Sequence, residues 1–458
     1  MKGAWAASLV AILAVTPIAA KSRILSDAEI RRILVERIDT QRQGVGIVVG
    51  VIEPQGRRVI VYGKADDGNP RPLDSDTVFE IGSVTKVFTS LLLANMVQRG
   101  EVALTDPVAK YLPKEIRMPE HGGKAITLEH LSTHTSGLPR DQTNLKPKDL
   151  SNPFADYTVA QLYEFLSGYT LTRDPGAEFE YSNLGVGLLG HALARRAGTG
   201  YEELVRSRIA TPLGIKSTAV TLSPEMQARL APGHNGELAK VPNFSEPTLA
   251  GAGALRSSAN DMLTFLAAQL GFVKTPLAPA MEYTLATRRP KGSSGDPLGW
   301  DVFTQHGRKI VWHNGGTFGY DSFVGFVPKS RVGVVVLSNT RSLAGVDDIG
   351  FHLLDTRDPL AAPPKTRHEM QVDPKVLDRY VGRYQLKPEV ILTITHEGDG
   401  LFVQATNDIK IRLYPESEQD FFAKVVDAQI SFALDGLSRA AQLTLHQFGQ
   451  DKVARRIE

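Results

Sequence analysis

The sequence contains no cysteine among its 458 residues. This absence excludes disulfide bonds, thiolate nucleophiles and zinc sites with cysteine ligands. An excess of charge of one sign is also missing, because 52 basic and 50 acidic residues leave a formal net charge of +2. No basic stripe is interleaved with aromatic residues, so the composition gives no electrostatic reason to expect nucleic acid as a partner.

A long hydrophobic run is also absent, and the apolar stretch at the N-terminus is short. Lys2 precedes an apolar segment at residues 4–15, and Pro17 and small residues up to Ala20 follow it. This order is typical of a secretory signal, whereas a membrane span needs about 20 apolar residues. We predict that residues 1–20 are a signal peptide, cleaved near Ala20, and that the mature chain is periplasmic or secreted. An uncleaved membrane anchor is the alternative.

Helical and strand patterns alternate over most of the chain. Residues 24–42 carry apolar positions at helical spacing, and two β-rich runs at 45–51 and 58–62 form a hairpin pattern. Mostly helical sequence at 100–290 precedes a further strand-like run at 332–337. The pattern predicts an α+β fold, an α/β sandwich whose antiparallel sheet is flanked by helices and is assembled from both ends of the domain. The helical stretch predicts an all-helical sub-domain.

The composition changes at residues 357–374, where four prolines predict a stiff linker. Short β-prone segments divided by turn signals follow it. They predict a separate all-β domain at 375–458, with a barrel-like or sandwich-like shape. Residues 21–356 are predicted to form the preceding α+β domain.

Ser83 and Lys86 form the first candidate for chemistry. Ser83 follows Gly82 and opens a helix at residues 84–97 that is apolar on nearly every side. The helix N-terminus stabilises negative charge near the serine oxygen, and Lys86 lies on the same helix face as Ser83. Burying a charged lysine is costly without a partner, so Lys86 is a candidate activator of the Ser83 nucleophile. A lysine at the helix edge is the alternative, because Ser-x-x-Lys is common by chance.

A second candidate segment carries polar groups at a turn. Tyr181-Ser182-Asn183 follows Pro175-Gly176 and opens a second helical run. A cationic lysine beside Tyr181 would stabilise its phenolate, which could then act as a general base and afterwards as an acid. Asn183 offers a donor and an acceptor to a substrate amide. A helix cap is the alternative for this segment.

The segment His313-Asn314-Gly315-Gly316 follows a strand-like run. Paired glycines on an edge strand allow a backbone to approach a ligand closely. Backbone N–H groups there, with that of Ser83, would form an oxyanion hole. A hairpin turn with an incidental histidine is the alternative.

The order of these three segments resembles the serine β-lactamases and DD-peptidases, and most closely the class C β-lactamases and related esterases. Residues 128–138, 251–266 and 313–322 resemble the same family, and the resemblance covers residues 25–345. The C-terminal segments 380–384 and 392–403 resemble lipocalin-like domains that are attached to some members.

The resemblance implies a role for each matching residue. Ser83 would be acylated, and Lys86 and Tyr181 would shuttle its proton. Asn183 would hold the amide carbonyl of the substrate, and the backbone N–H groups of Ser83 and Gly316 would hold the oxyanion. The implied chemistry needs no metal and no cofactor.

The sequence departs from the family where His313, Asn314 and Gly315 replace Lys-Thr-Gly in the substrate site. The lysine is a fixed cation for a substrate carboxylate, whereas a histidine with a pKa near 6.5 is mostly neutral at pH 7. If protonated His313 binds the carboxylate, affinity should fall as the pH rises from about 5.5 to 7.5. This departure favours ester, amide or peptide substrates more than the family pattern alone would.

The sequence as a whole predicts a serine hydrolase that acts on a small molecule, with β-lactam hydrolysis favoured. The alternatives are a DD-carboxypeptidase or other D-amino-acid peptidase, an esterase, and a penicillin-binding sensor that is acylated without turnover. His130 and His134 have the spacing of a zinc helix but lack the intervening glutamate of His-Glu-x-x-His, so no metal site is predicted. The oligomeric state is left open.

Overall fold

The computed structural model describes residues 24–66, 71–286, 297–363, 367–388, 390–406, 410–424, 426, 428–435, 439–447 and 450–458. The predicted signal peptide at residues 1–20 lies outside these residues, as does part of the predicted linker. Within the described ranges, no helix combines the length and the apolar character needed to cross a membrane.

The helices lie mainly between residues 85 and 285. In chain order they are α1 (Asp27–Val35), α2 (Thr85–Gln98), α3 (Leu128–Ser132), α4 (Val159–Gly168), α5 (Asn183–Ala197), α6 (Tyr201–Val205), α7 (Thr211–Leu213), α8 (Pro224–Arg229), α9 (Ala259–Gln269), α10 (Ala278–Thr284), α11 (Asp347–Leu354) and α12 (Pro374–Leu377). The helix predicted at 24–42 is confirmed, because α1 begins at a capping box of Ser26 and Glu29 and continues as a π-helical turn at Glu36–Thr40.

The strands before the linker form one large sheet and two small ones. They are β1 (Gly46–Glu53), β2 (Gly56–Gly63), β3 (Val78–Glu80), β4 (Glu120–His121), β5 (Lys124–Ala125), β6 (Arg256–Ser258), β7 (Asp301–Gln305), β8 (Arg308–Gly316), β9 (Asp321–Val327) and β10 (Val332–Ser338). The large sheet has the order β2-β1-β10-β9-β8-β7, and each neighbouring pair is antiparallel. The predicted hairpin and the assembly of the sheet from both ends of the domain are therefore confirmed.

The two faces of the large sheet pack against different helices. One face buries residues such as Val49 and Val334 against α1 and α11, through Leu34 and Ile349. The other face packs against α9 and belongs to a larger core that includes α2 and the helices of the sub-domain. Because successive side chains on a strand point to opposite faces, each strand contributes to both cores. Helix α2 is buried along almost its whole length, which fixes Ser83 relative to the sheet.

The C-terminal strands form a closed barrel. They are β11 (Gly382–Lys387), β12 (Val390–Glu397), β13 (Gly400–Ala405), β14 (Lys410–Pro415), β15 (Asp420–Ala423), β16 (Ala428–Leu434), β17 (Ala440–Gln447) and β18 (Gln450–Arg456). Each strand pairs with the next, and β11 pairs with β18 to close the barrel. Closure removes the exposed sheet edges that a sandwich of this size would keep. Of the two predicted shapes, the barrel is confirmed.

Candidate active site

Ser83 lies where β3 turns into α2. Gly82 has φ +47°, in the left-handed region that favours glycine, and begins a 3-10 turn at Gly82–Val84. A Cβ on Gly82 would lie 2.7 Å from the backbone nitrogen of Gly316. Glycine is therefore required both for the turn and for the close approach of β8 to the serine.

Lys86 is 1% exposed and lies one helical turn after Ser83. Its Nζ donates to Ser83 Oγ at 2.8 Å, to Asn183 Oδ1 at 2.9 Å and to the carbonyl oxygen of Ala252 at 2.7 Å. An ammonium has three donors, so these contacts satisfy the buried charge and hold it against the serine oxygen. The expected pairing of Lys86 with Ser83 is present.

Asn183 extends this network away from the serine. Its side-chain oxygen accepts from Lys86, and its Nδ2 donates to Asp141 Oδ1 at 2.9 Å. Asn183 is the first residue of α5, and Ser182 caps that helix by accepting from the Gly185 backbone N–H at 2.8 Å. The helix cap that was the alternative for this segment is therefore present together with the contact to Lys86.

Tyr181 stands just ahead of the same cap. Its ring stacks on His134 with centroids 4.3 Å apart, and Lys86 Nζ lies 5.0 Å from the ring centroid. The backbone N–H of Ser182 donates to His134 Nδ1 at 3.0 Å, so His134 fixes both the ring and the backbone beside it. A cation at this distance is attracted to the tyrosine ring.

Strand β8 forms the opposite wall. A Cβ on Gly315 would lie 2.0 Å from the carbonyl oxygen of Ile81 and 2.9 Å from the backbone nitrogen of Ser83. Ser322 on β9 donates its hydroxyl to the same Ile81 carbonyl at 2.8 Å. The backbone at Gly315 and Gly316 is thus held against the start of α2.

His313 is 4% exposed on β8 and lines a narrow pocket together with Tyr181, His134 and Trp300. Burial, with the nearby charge of Lys86, lowers the pKa of His313 to about 4. This low pKa disfavours a protonated His313 between about pH 5.5 and 7.5, which is the premise of the expected loss of carboxylate affinity over that range. Its Nδ1 lies 2.6 Å from the carbonyl oxygen of Asn314, an acceptor that suits the neutral Nδ1–H tautomer.

Asn314 projects from the other face of the sheet. Its Nδ2 donates to Asp347 Oδ2 at 2.5 Å, at the start of α11. Burial raises the pKa of Asp347 to about 7. Consecutive residues on a strand alternate between faces, so the structure brings His313 to the cleft but not the side chain of Asn314.

Two acidic residues beside the network were not predicted. Asp141 accepts from Asn183, and Glu246 is 5% exposed near both Asp141 and Lys86. Burial, reinforced by the Asp141 charge, raises the pKa of Glu246 well above its ordinary value, although Lys86 opposes the rise. Nothing in the local sequence around either residue indicated this position, because the chain returns to the cleft only through tertiary structure.

Arg341 was also not predicted. A Cβ on Gly316 would lie 2.3 Å from its Nη1, so its guanidinium lies at the rim of the cleft. Arg341 forms an ion pair with Asp321, which is 3% exposed and begins β9. The pairing offsets much of the positive charge that Arg341 brings to the rim.

The two histidines with zinc-helix spacing have separate partners. His130 Nδ1 accepts from the backbone N–H of Thr127, and His134 contacts Tyr181 and Ser182. Within the residues that the structure describes, no group of three or more potential metal ligands is assembled.

The fold and this arrangement define a serine hydrolase class in which a buried lysine contacts the nucleophile. A sequence model of the Beta-lactamase family matches residues 31–355, so the chain belongs to this family of serine hydrolases that act on amide bonds. A second model, a domain of unknown function (DUF3471), matches residues 366–456.

Individual relatives support the assignment. The D-alanyl-D-alanine-carboxypeptidase/endopeptidase AmpH of Escherichia coli is 30% identical over 342 residues, which cover 69% of this chain and 87% of the relative. Penicillin-binding protein 4* of Bacillus subtilis is 27% identical over 421 residues, which cover 86% and 90%. The crystal structure of a class C β-lactamase from Rhodobacter sphaeroides superposes with a TM-score of 0.61 at 26% identity, covering 72% of this chain and 98% of that one.

Proposed function

We propose that the chain hydrolyses the amide bond of small peptides through an acyl-enzyme on Ser83. The observation that carries the proposal is the 2.8 Å contact between Lys86 Nζ and Ser83 Oγ inside a buried network. The Ser83 oxygen attacks the carbonyl carbon, and Tyr181 takes the Ser83 proton and delivers it to the leaving nitrogen, while the Lys86 ammonium stabilises negative charge on the serine oxygen. Water then attacks the ester by the reverse proton path, which releases the acid and restores Ser83.

The negative oxygen of the tetrahedral intermediate is assigned to the backbone N–H groups of Ser83 and Gly316. The contact distances around Gly82 and Gly315 support this role, because they leave no room for a side chain between the two backbones. Fixed N–H donors of this kind stabilise charge that develops in the transition state. Asn183 is assigned to the amide of the substrate, at the edge of the Lys86 network.

The choice of peptides over β-lactams depends on charge. Neutral His313 supplies no fixed cation for the carboxylate of a β-lactam, and Asp141 places an acidic group near Lys86 through Asn183. A cleft with this distribution of charge favours a neutral acyl group or a substrate amine over a substrate carboxylate. The similarity to the carboxypeptidase/endopeptidase AmpH supports the same choice.

β-Lactam hydrolysis is the second candidate. It is favoured by the similarity to class C β-lactamases and by Arg341, a cation at the rim beside Gly316. Ester hydrolysis and acylation without turnover are further outcomes that the same mechanism allows.

A side-by-side turnover assay separates these functions. Wild-type protein and Ser83→Ala would be assayed with a D-Ala-D-Ala peptide whose C-terminus is amidated and therefore carries no carboxylate, with nitrocefin and with a short-chain nitrophenyl ester. We expect the highest kcat/KM with the peptide and loss of all three activities in Ser83→Ala. Fastest turnover of nitrocefin would replace the peptidase proposal by the β-lactamase one, and unchanged rates in Ser83→Ala would refute the mechanism.

His313→Lys tests whether the missing cation sets the preference for peptides over β-lactams. A lysine there restores the fixed cation, so we expect the ratio of nitrocefin to peptide kcat/KM to rise about tenfold or more, since one charge-assisted contact contributes about 1.5–3 kcal/mol. His368→Lys is the matched control, because His368 is exposed and far along the chain from the cleft residues. An unchanged ratio in His313→Lys would remove His313 from the account of specificity.

We also propose that the mature protein is exported, from the pattern of residues 1–20. N-terminal sequencing of protein purified from its native host tests this. A mature N-terminus near residue 21 is expected, whereas a retained Met1 would favour the membrane-anchor alternative.

A further inference from the structure

The interior of the C-terminal barrel is filled at one end and open at the other. At the filled end, Tyr380, Tyr384, Phe421 and Phe432 form an aromatic cluster in which the rings of Tyr380 and Phe432 stack with centroids 4.3 Å apart. Large rings that interdigitate in this way leave few voids. This half of the barrel is a packed core.

The other half contains a cavity of about 130 Å³ that is partly open to solvent. All its lining side chains except Gln447 are small or aliphatic, and all except Val426 come from strands β12 to β17: Leu392, Val403, Ala405, Ile411, Leu413, Ala423, Val426, Ala428, Ile430, Leu445 and Gln447. Three of them are alanines, which stop short of the barrel axis where a larger residue would reach it. The void therefore follows from the residue types at inward-facing positions.

The chemistry of this lining selects against water. A buried water needs about two to four hydrogen-bond partners, and Gln447 is the one side chain with an amide among the lining residues. Ile430 and Leu413 are 1% and 2% exposed, so the walls are shielded from solvent at these positions, whereas six of the eleven lining residues are half-buried. Apolar cavities of about 150 Å³ in protein cores stay dry and bind benzene. Eight-stranded barrels have interiors wide enough for one small ligand.

We propose that this cavity is a binding site for a small apolar group, an aromatic ring or branched alkyl group of about the size of benzene. The ligand gains the dispersion contacts that the alanine-lined walls lack and removes apolar surface from water. Gln447 contacts the polar end of a ligand that carries one. The site is separate from the Ser83 cleft and does not depend on its chemistry.

Fluorobenzene is a probe of suitable size, observed by ¹⁹F NMR with the full-length protein. We expect saturable binding to wild type and to Ser83→Ala with the same Kd, because the catalytic serine does not line the cavity. Ala423→Phe fills the cavity from a position that is 3% exposed, and we expect it to weaken binding at least about tenfold. Val453→Phe is the matched control, because Val453 is 52% exposed on the same barrel.

A second filling variant, Ala405→Leu, keeps the test valid if Ala423→Phe does not fold. Two filling variants that fold and bind as wild type would overturn the proposal. So would an absence of saturable binding to wild type, or equal loss in Val453→Phe. Loss of binding in Ser83→Ala would place the probe in the cleft instead.

Discussion

Around Ser83, two backbone segments approach so closely that a Cβ on Gly315 would lie 2.0 Å from the Ile81 carbonyl oxygen, whereas three alanines in the barrel leave about 130 Å³ empty. Both regions use small residues at inward positions. In the cleft the space left by glycine is taken by backbone, so that β8 lies against the start of α2. In the barrel the space left by alanine is left unfilled. The same loss of side-chain volume therefore makes a rigid polar site in one region and an apolar cavity in the other.

The difference teaches what each site needs from its surroundings. A site that stabilises developing charge needs donors in fixed positions, and the buried α2 helix and the β8–β9 pair supply that rigidity. A site for an apolar group needs volume and the absence of competing polar groups. Substitutions in the cleft should therefore lower catalytic rates sharply, whereas substitutions that fill the barrel cavity should weaken binding of the proposed ligand.

Lys86→Met is expected to have the largest effect. Methionine keeps most of the volume but removes the ammonium that contacts Ser83 Oγ, Asn183 Oδ1 and the Ala252 carbonyl. We expect kcat/KM to fall by about 10³-fold, within the range for disabling general acid–base catalysis at the serine. Steady-state kinetics measure this, with the exposed Lys110→Met as control. Retention of more than a tenth of the activity would show that Lys86 is dispensable.

Gly315→Ala tests the close approach of the two backbones. The added Cβ forces β8 away from Ser83, so we expect kcat to fall about 10²-fold, the effect of displacing one oxyanion donor. Unfolding free energy should fall by about 1–3 kcal/mol from overpacking. Gly200→Ala is the matched control, because its Cβ would meet nothing within 4 Å and its φ is −75°. Equal kinetics for the two variants would contradict the assignment of the oxyanion hole.

His313→Gln tests the electrostatics of the cleft through stability. The folded-state pKa of His313 is lowered to about 4, so its stabilising contribution is present above about pH 6.5 and is lost as the pH falls towards 4. The unfolding free energy should therefore decrease less in His313→Gln than in wild type between these two pH values, and the difference should be up to about 3 kcal/mol. Urea unfolding at several pH values measures this, with the exposed His368→Gln as control. Identical pH profiles for His313→Gln and wild type would show that His313 is not desolvated.

Lys424→Ala tests the contact between the barrel and the catalytic domain and should have the smallest effect. Lys424 forms ion pairs with Glu237 at 2.9 Å and with Glu369 at 3.1 Å, and its side chain is 31% exposed. Partly exposed pairs of this kind contribute about 1 kcal/mol or less, so we expect Tm to fall by only a few degrees at most. Calorimetry measures the change. A large drop, or loss of peptide turnover, would show that the barrel supports the cleft.

Much of the cleft could be predicted because the residues that indicate it are close together in the sequence. Ser83 and Lys86 are three residues apart, and the apolar helix after Gly82 already places them on one face. The hairpin of β1 and β2 and the barrel strands followed from alternation and turn signals in the same way. These features depend on residues that are neighbours in the sequence, so the sequence alone is enough to predict them.

The rest of the cleft and of the fold depends on contacts between residues that are far apart in the sequence. Lys86 and Asn183 are 97 positions apart, and Lys86 and Ala252 are 166 apart, so their hydrogen bonds follow only from the folded chain. The charge state of His313 is set by burial and by Lys86, neither of which its own segment reveals. The choice between a barrel and a sandwich likewise required the pairing of β11 with β18.

The most direct test of the central claim is intact-protein mass spectrometry after incubation with a β-lactam or an activated phosphonate, followed by peptide mapping. We predict one covalent adduct, located on Ser83, absent from Ser83→Ala and formed at a strongly reduced rate in Lys86→Met. An adduct on another residue, or no adduct with either reagent in folded wild-type protein, would contradict the account.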